Sequence, residues 1–205
     1  MTPKTNKEMV ESLRKEGVLK SEKLRRAFLG IDRAKFLTDE QKGHAYDDNA
    51  LPTLAGQTIS QPYTVAFMLD LLEVGAGQKA LDVGSGSGWT TALLAHLVGE
   101  HGSVIGTEIV PELVDFGKRS LEKFNLPHAE IRQAEAGSLG VPDQKFDRIL
   151  VGASATRTPH ELLLQLEEKG VLVCPVKESI VKYERLNDDE VKTTEYPGFV
   201  FVPLI

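Results

Sequence analysis

Apolar positions near the N-terminus recur at helical spacing: Met9 and Leu13 mark one segment, and Leu24, Ala27, Phe28 and Ile31 a second with Ser21 placed as its N-cap. Two amphipathic helices packed on a larger body are predicted. From residue 43 to 61 the periodicity vanishes, and a long irregular loop is expected. A loop of that length inside a compact domain is usually functional or disordered, and its aromatic, aliphatic and amide content argues against disorder. Helical spacing returns behind Pro62 through Val65, Ala66, Met68, Leu69 and Leu72, ending at Gly75.

Short apolar runs then alternate with helical ones. Strands are expected at 79–83, 103–108, 129–133, 146–151 and 170–176, and helices from Gly88 to Gly99, from Pro111 to Phe124 and over 159–168. Strand-helix units of this length predict an α/β fold with a parallel sheet and helices on both faces. Residues 180–185 and 191–196 flank Asn187-Asp188-Asp189 and read as a hairpin, followed by a final strand at 199–204. No linker divides the chain, so one domain is expected over 1–205: N-terminal helices (1–42), a loop (43–61), an α/β core (62–176) and a C-terminal hairpin and strand (177–205).

Charge and cysteine usage narrow the partners. The 205-residue chain carries a net charge of −6 with a sequence pI of about 5.4, so there is no global basic field to hold nucleic acid. No run approaches the ~18 apolar residues of a membrane span, and residues 1–20 lack an apolar signal core. A cytoplasmic protein without nucleic-acid or membrane partners is expected, its oligomeric state left open by the sequence with a monomer favoured. The lone Cys174 lies in an apolar run and reads as a buried core residue. The five histidines show no i, i+4 pairing and no cysteine neighbours, so no metal site is expected.

The chemistry concentrates at Leu81-Asp82-Val83-Gly84-Ser85-Gly86-Ser87-Gly88, where an apolar strand breaks into alternating glycines and a helix begins. Such a turn lets a ligand approach the main chain and the helix N-terminus closely. A dinucleotide fingerprint needs G-x-G-x-x-G, but the third glycine falls at Trp89 in one register and at Thr91 in the other, so both fail. The observed G-x-G-x-G, preceded by Asp82, resembles the first motif of S-adenosylmethionine-dependent methyltransferases. Glu108, ending the second predicted strand, stands where a carboxylate can accept both hydroxyls of a ribose. Glu135, after the third, is a candidate contact for an adenine amino group.

The loop narrows the class. Ala45-Tyr46-x-Asp48, Leu51-Pro52, Gly56-Gln57-Thr58-Ile59-Ser60-Gln61-Pro62, the glycine turn, Phe146-Asp147-x-Ile149, Pro159, Leu166 and Phe201-Val202-Pro203-Leu204 together resemble the protein-L-isoaspartate O-methyltransferases. The resemblance runs in chain order from residue 45 to the C-terminus. It implies a Rossmann-like doubly wound methyltransferase sheet with an N-terminal helical cap and C-terminal antiparallel strands. It further implies methyl transfer from S-adenosyl-L-methionine to the free carboxylate of L-isoaspartyl residues in damaged proteins or peptides. By the same resemblance Ser60 is the active-site serine, Thr58 and Ile59 line the acceptor pocket, and Gly84, Ser85, Gly86 and Glu108 hold the cofactor. Ser60 also stands where an N-cap for the helix behind Pro62 is expected.

Three positions depart from the family pattern: Ala134-Glu135-Ala136 in place of Gly-Asp-Gly, Val200 in place of an arginine, and the segment Ala153 to Pro159, in which Arg157 reads as a surface residue. They leave two readings open: a methyltransferase with another carboxylate or a small-molecule acceptor, and a non-catalytic S-adenosylmethionine-binding module.

Overall fold

The computed structural model describes residues 2–204. Two amphipathic helices open the chain, α1 (Asn6–Lys15) and α2 (Glu22–Gly30). Each is capped by a hydroxyl that accepts from the backbone N–H three residues on: Thr5 from Glu8, and Ser21 from Leu24. Two short 3₁₀ turns, Arg33–Phe36 and Asp39–His44, lead into residues 45–61.

That stretch is less irregular than the lost periodicity suggests. Strands β1 (Leu51–Pro52) and β2 (Thr58–Ile59) pair antiparallel, with Leu51 opposite Ile59. Their turn is closed by Thr53 N–H donating to Gln57 O and Gln57 N–H donating to Leu54 O, and it holds Ala55 at φ 53° beside Gly56 at φ 69°. Two-residue strands are too short to show an alternation, which is why the ladder left no trace in the pattern.

Helix α3 (Pro62–Leu72) begins with proline in its first turn and ends at Glu73 in the left-handed region (φ 52°), two residues before the predicted stop. Its N-cap is Gln61, without a side-chain cap bond, so Ser60 is not the cap. The missing acceptor comes from across the loop, where Asp48 Oδ1 accepts from Tyr63 N–H at 2.8 Å.

The core follows as β3 (Lys79–Val83), α4 (Trp89–Val98), β4 (Ser103–Glu108), α5 (Pro111–Leu121), β5 (Ala129–Gln133), β6 (Phe146–Val151), α6 (His160–Leu163), β7 (Leu166–Val176), β8 (Ser179–Arg185) and β9 (Val191–Pro197). Seven strands form one sheet in the order β5-β4-β3-β6-β7-β8-β9, parallel from β5 to β7 and antiparallel through β8 and β9. The chain walks outward from β3 to β5, then returns to the other side of β3 at β6. This reversal opens a crevice at the carboxyl ends of the central strands.

The two faces are unequally covered. Ala80, Val104, Leu150 and Val173 share one apolar cluster with α1 to α5. Leu81, Val83, Ile149, Val151 and Leu172 face the other way, where Leu162 of the four-residue α6 and loop residues such as Leu139 and Val141 cover them. The helix expected over 159–168 is cut short because Leu166 pairs with Phe146 as the first residue of β7, and residues 167–170 then bulge before Val171 meets Arg148. Residues 199–204 form no strand. They make one bridge, Ser154 to Pro203, in which Ser154 N–H donates to Val202 O and Leu204 N–H donates to Ser154 O.

Candidate active site

At the carboxyl ends of β3, β4 and β6 lies a cavity of about 320 Å³. Its floor is the glycine turn. Gly84, Gly86 and Gly88 have φ of 72°, 52° and 85°, a region side-chain-bearing residues rarely adopt, so the sequence spends glycine where the backbone must curl under a ligand. Gly152, at the end of β6, is needed for a different reason: a Cβ there would lie 2.7 Å from Gly84 O.

Glu108 forms the next wall. Its side chain is buried, and its carboxylate is fixed by main-chain donors: Gly86 N–H to Oε2 at 2.9 Å and Val110 N–H to Oε1 at 3.0 Å. Each oxygen has accepting capacity beyond its one backbone donor, and the side chain lines the cavity, so the group suits two further hydroxyl hydrogens. Glu135, which is solvent-exposed, lines the cavity from the loop after β5 together with Gly137 to Gly140. Gln57 and Thr58 reach it from the loop hairpin, Glu161 from α6, and Val202 to Leu204 from the C-terminal segment.

The candidates from the sequence divide accordingly. Gly84, Gly86, Glu108, Glu135 and Thr58 share the cavity wall, whereas Ser85, Ile59 and Ser60 are not part of it. Ile59 is buried in the core with its side chain among apolar neighbours, and Ser60 is half-buried immediately beyond it. The Ser85 hydroxyl is buried without a protein partner. Val200 is 88% exposed, and Arg157 lies in a separate groove with Lys177 and Glu178.

The wall's charge is informative. Glu108, Glu135 and Glu161 line it and no lysine, arginine or histidine does. A dinucleotide would bring a pyrophosphate into that field, whereas a sulfonium cation with a ribose fits both the sign and the donor set. The residues present therefore suit S-adenosylmethionine. Among the described residues no group of three or more His, Cys, Asp or Glu converges to hold a metal ion, and no helix is long and apolar enough to cross a membrane.

Beneath the turn, Asp82 is wholly buried. Thr90 and Thr91 at the start of α4 donate their hydroxyls to its Oδ2 at 2.6 and 2.7 Å, while Oδ1 has no partner. Burial raises its pKa to about 6, against the two threonine bonds that lower it. A carboxyl whose folded pKa lies above its unfolded value near 3.8 favours folding below that value and loses the contribution as pH rises to about 6. Asp82→Asn removes the titration. Relative to wild type, the variant should therefore gain about 2–3 kcal/mol in stability between pH 4 and pH 7, read as the change with pH in the difference between their urea-unfolding free energies. A difference that stays constant with pH would show that Asp82 does not titrate there.

Sequence reading missed three supports of the loop, Asp48, Tyr46 and Arg33. Asp48 and Tyr46 act as ties: Gln61 Nε2 donates to Asp48 Oδ2 at 2.9 Å, and the Tyr46 hydroxyl donates to Asp32 Oδ1 at 3.2 Å. Arg33 is fully buried, and its guanidinium is held by carbonyl oxygens; burial brings its pKa down to about 10, so it is charged at neutral pH. The one available signal was an arginine set among Ile31, Ala34, Phe36 and Leu37.

Comparison with known proteins agrees with this geometry. The family model described as protein-L-isoaspartate(D-aspartate) O-methyltransferase matches residues 4–205. A protein-L-isoaspartate O-methyltransferase of Pyrococcus horikoshii is 40% identical over 205 residues, covering 97% of this chain and 92% of its own. That of Thermococcus onnurineus is 41% identical, covering 96% and 91%. Among solved structures, a Plasmodium falciparum protein assigned to the protein-L-isoaspartate O-methyltransferases, in complex with S-adenosyl-L-homocysteine, superposes with a TM-score of 0.89 at 27% identity, covering 99% of each chain.

Proposed function

The chain belongs to the protein-L-isoaspartate(D-aspartate) O-methyltransferase family, and from that premise we infer that it transfers a methyl group from S-adenosylmethionine to the free carboxylate of L-isoaspartyl residues in proteins or peptides. The observation that carries the reading within the site is a cavity wall around a glycine turn whose charged residues are all acidic, with Glu108 fixed by two backbone donors.

Gly84 and Gly86 would carry the cofactor along the main chain, Glu108 would accept its ribose hydroxyls, and Glu135 would meet the adenine amino group. When bound, S-adenosylmethionine supplies an electrophilic methyl on a positively charged sulfur, which departs as a neutral thioether. The acceptor carboxylate is ionised at neutral pH and is already the nucleophile, so the residues need neither a general base nor a metal to generate it. They must align the carboxylate with the methyl and keep water away, and positioning of this kind supplies most of such an effect.

Thr58 stands at the cavity and Ile59 anchors the strand in the core, so the alternation of an extended segment carries Ser60 back toward the side of Thr58. The Ser60 hydroxyl is proposed to hydrogen-bond near the acceptor oxygen. Charge is neutralised as the methyl moves, which a desolvated pocket favours. The next backbone nitrogen of the substrate then attacks the ester carbonyl, closing a succinimide, and the methoxide leaves as methanol with the amide proton. The work is proposed to be done by one domain in the cytoplasm.

Incubation with methyl-labelled S-adenosylmethionine should place base-labile, methanol-releasing label on an isoaspartyl peptide and none on its normal aspartyl counterpart. Label on both peptides, or on neither while cofactor binds, would reject the acceptor assignment.

A further inference from the structure

Arg33 lies far from the cavity in sequence, yet it grips the loop that supplies Thr58 and Ser60. Its Nη1 donates to Ala45 O at 3.0 Å and Asp47 O at 3.1 Å, and its Nη2 to Asn49 O at 2.8 Å and Ser60 O at 3.0 Å. Three of these acceptors lie where the chain enters the loop; the fourth belongs to Ser60, where it leaves. The guanidinium carbon sits 5.4 Å over the ring of Trp89, the first residue of α4 behind the glycine turn. Trp89 in turn donates from its indole N–H to Ile31 O, two residues from Arg33. Among the described residues Arg33 makes no salt bridge. Its Nη1 and Nη2 donors go to four main-chain oxygens, which only a planar fork of several N–H groups can satisfy together, while its Nε is buried without a partner.

We propose that Arg33 is a positioning residue for methyl transfer: by tying both ends of the loop to one planar cation that rests on Trp89, it fixes Ser60 and Thr58 relative to the cofactor cavity. This rests on the reading of residues 58–60 as the acceptor side of the site. Removing the fork leaves four carbonyl groups without their donor, one buried and three partly buried, and frees the loop to shift against the glycine turn. The turn itself keeps its own bonds, Gly84 and Ser85 N–H to Thr107 O and Gly86 N–H to Glu108, none of which involves Arg33. Acceptor alignment and cofactor affinity should therefore separate.

The test compares wild type, Arg33→Met and Arg33→Lys by three measurements: S-adenosylhomocysteine affinity by calorimetry, kcat and KM for an isoaspartyl peptide at saturating cofactor, and hydrogen exchange of the backbone amides. In Arg33→Met, kcat/KM for the peptide should fall about a hundredfold, in line with a misplacement near 1 Å, through both a raised KM and a lowered kcat. Cofactor affinity should stay within about threefold, and exchange should quicken over residues 45–61 while β3, β4 and β6 keep their protection. Arg33→Lys, with one ammonium in place of the fork, should lose about tenfold in kcat/KM. A residue that merely stabilised the fold would reduce kcat and the number of cofactor sites together with KM unchanged, and that pattern would overturn the proposal. So would a folded Arg33→Met with wild-type kcat/KM; if that variant does not fold, wild-type kcat/KM in Arg33→Lys decides the same way. Wild-type protein inactive on the isoaspartyl peptide would instead overturn the reading of the loop on which the proposal stands.

Discussion

Glu108→Gln should weaken S-adenosylmethionine binding by about a hundredfold or more, because a hydrogen bond to a charged group is worth about 1.5–3 kcal/mol and two ribose hydroxyls are at stake. The substitution keeps the shape but not the chemistry. Both carboxylate oxygens accept from backbone N–H groups, Gly86 on one side and Val110 on the other. A glutamine must turn its NH₂ toward one of them, setting donor against donor. The floor of the cavity is disturbed along with the ribose contact, since Gly86 belongs to both. Calorimetry with S-adenosylhomocysteine reads the affinity, and a urea-unfolding curve on the same preparation shows that the protein is folded. Affinity unchanged in a folded variant would remove Glu108 from the cofactor site.

Ser60→Ala should act on the other half of the reaction, cutting turnover of isoaspartyl peptide about a hundredfold, the scale seen when one positioned hydrogen-bond donor is removed from a reacting centre. Cofactor affinity should stay within about twofold, because Ser60 is not part of the cavity wall and the neighbouring turn is held by other bonds. The variant is clean for a structural reason. Arg33 and Ser60 meet through the Ser60 carbonyl oxygen, and Asp48 rather than Ser60 caps α3, so the alanine keeps every main-chain bond of the loop. Single-turnover methylation at saturating cofactor reads the chemical step directly. Wild-type rates would take Ser60 out of the mechanism and leave Thr58 as the loop hydroxyl that lines the cavity.

The two halves of the site differ in how far the sequence exposes them. The glycine turn and Glu108 are close to local features: a strand, a tight turn and a helix fix the turn within a few residues, and parallel pairing of β3 with β4, Val83 opposite Thr107, sets Glu108 beside it. The loop proposed for the acceptor side is the opposite case. Its backbone conformation depends on Arg33, Asp32 and Asp48, whose partners lie 12 to 27 residues away, and no periodicity records such ties. Tyr46 and Asp48 stood in the quoted motif as markers of a family, while the structure gives each a mechanical task.

The same contrast explains the errors of element length. The pattern Leu162, Leu163, Leu166 fits a helix locally, but Leu166 is claimed by Phe146 across the sheet, and the pairing wins over the local preference. The C-terminal Phe-Val-Pro-Leu is a short continuous apolar run of the kind a buried strand shows, yet it finds a single partner at Ser154 and ends as a lining of the cavity.

What the sequence determined by itself was the α/β alternation, the glycine turn and the class of ligand it excludes, because strand, helix and turn preferences act over a few residues. Only the tertiary structure decided the strand order, the unequal cover of the two sheet faces, the acidic enclosure of the cavity and the clamp of Arg33. Each of these depends on groups brought together from distant parts of the chain, where burial and unsatisfied backbone oxygens, rather than local preference, select the partner.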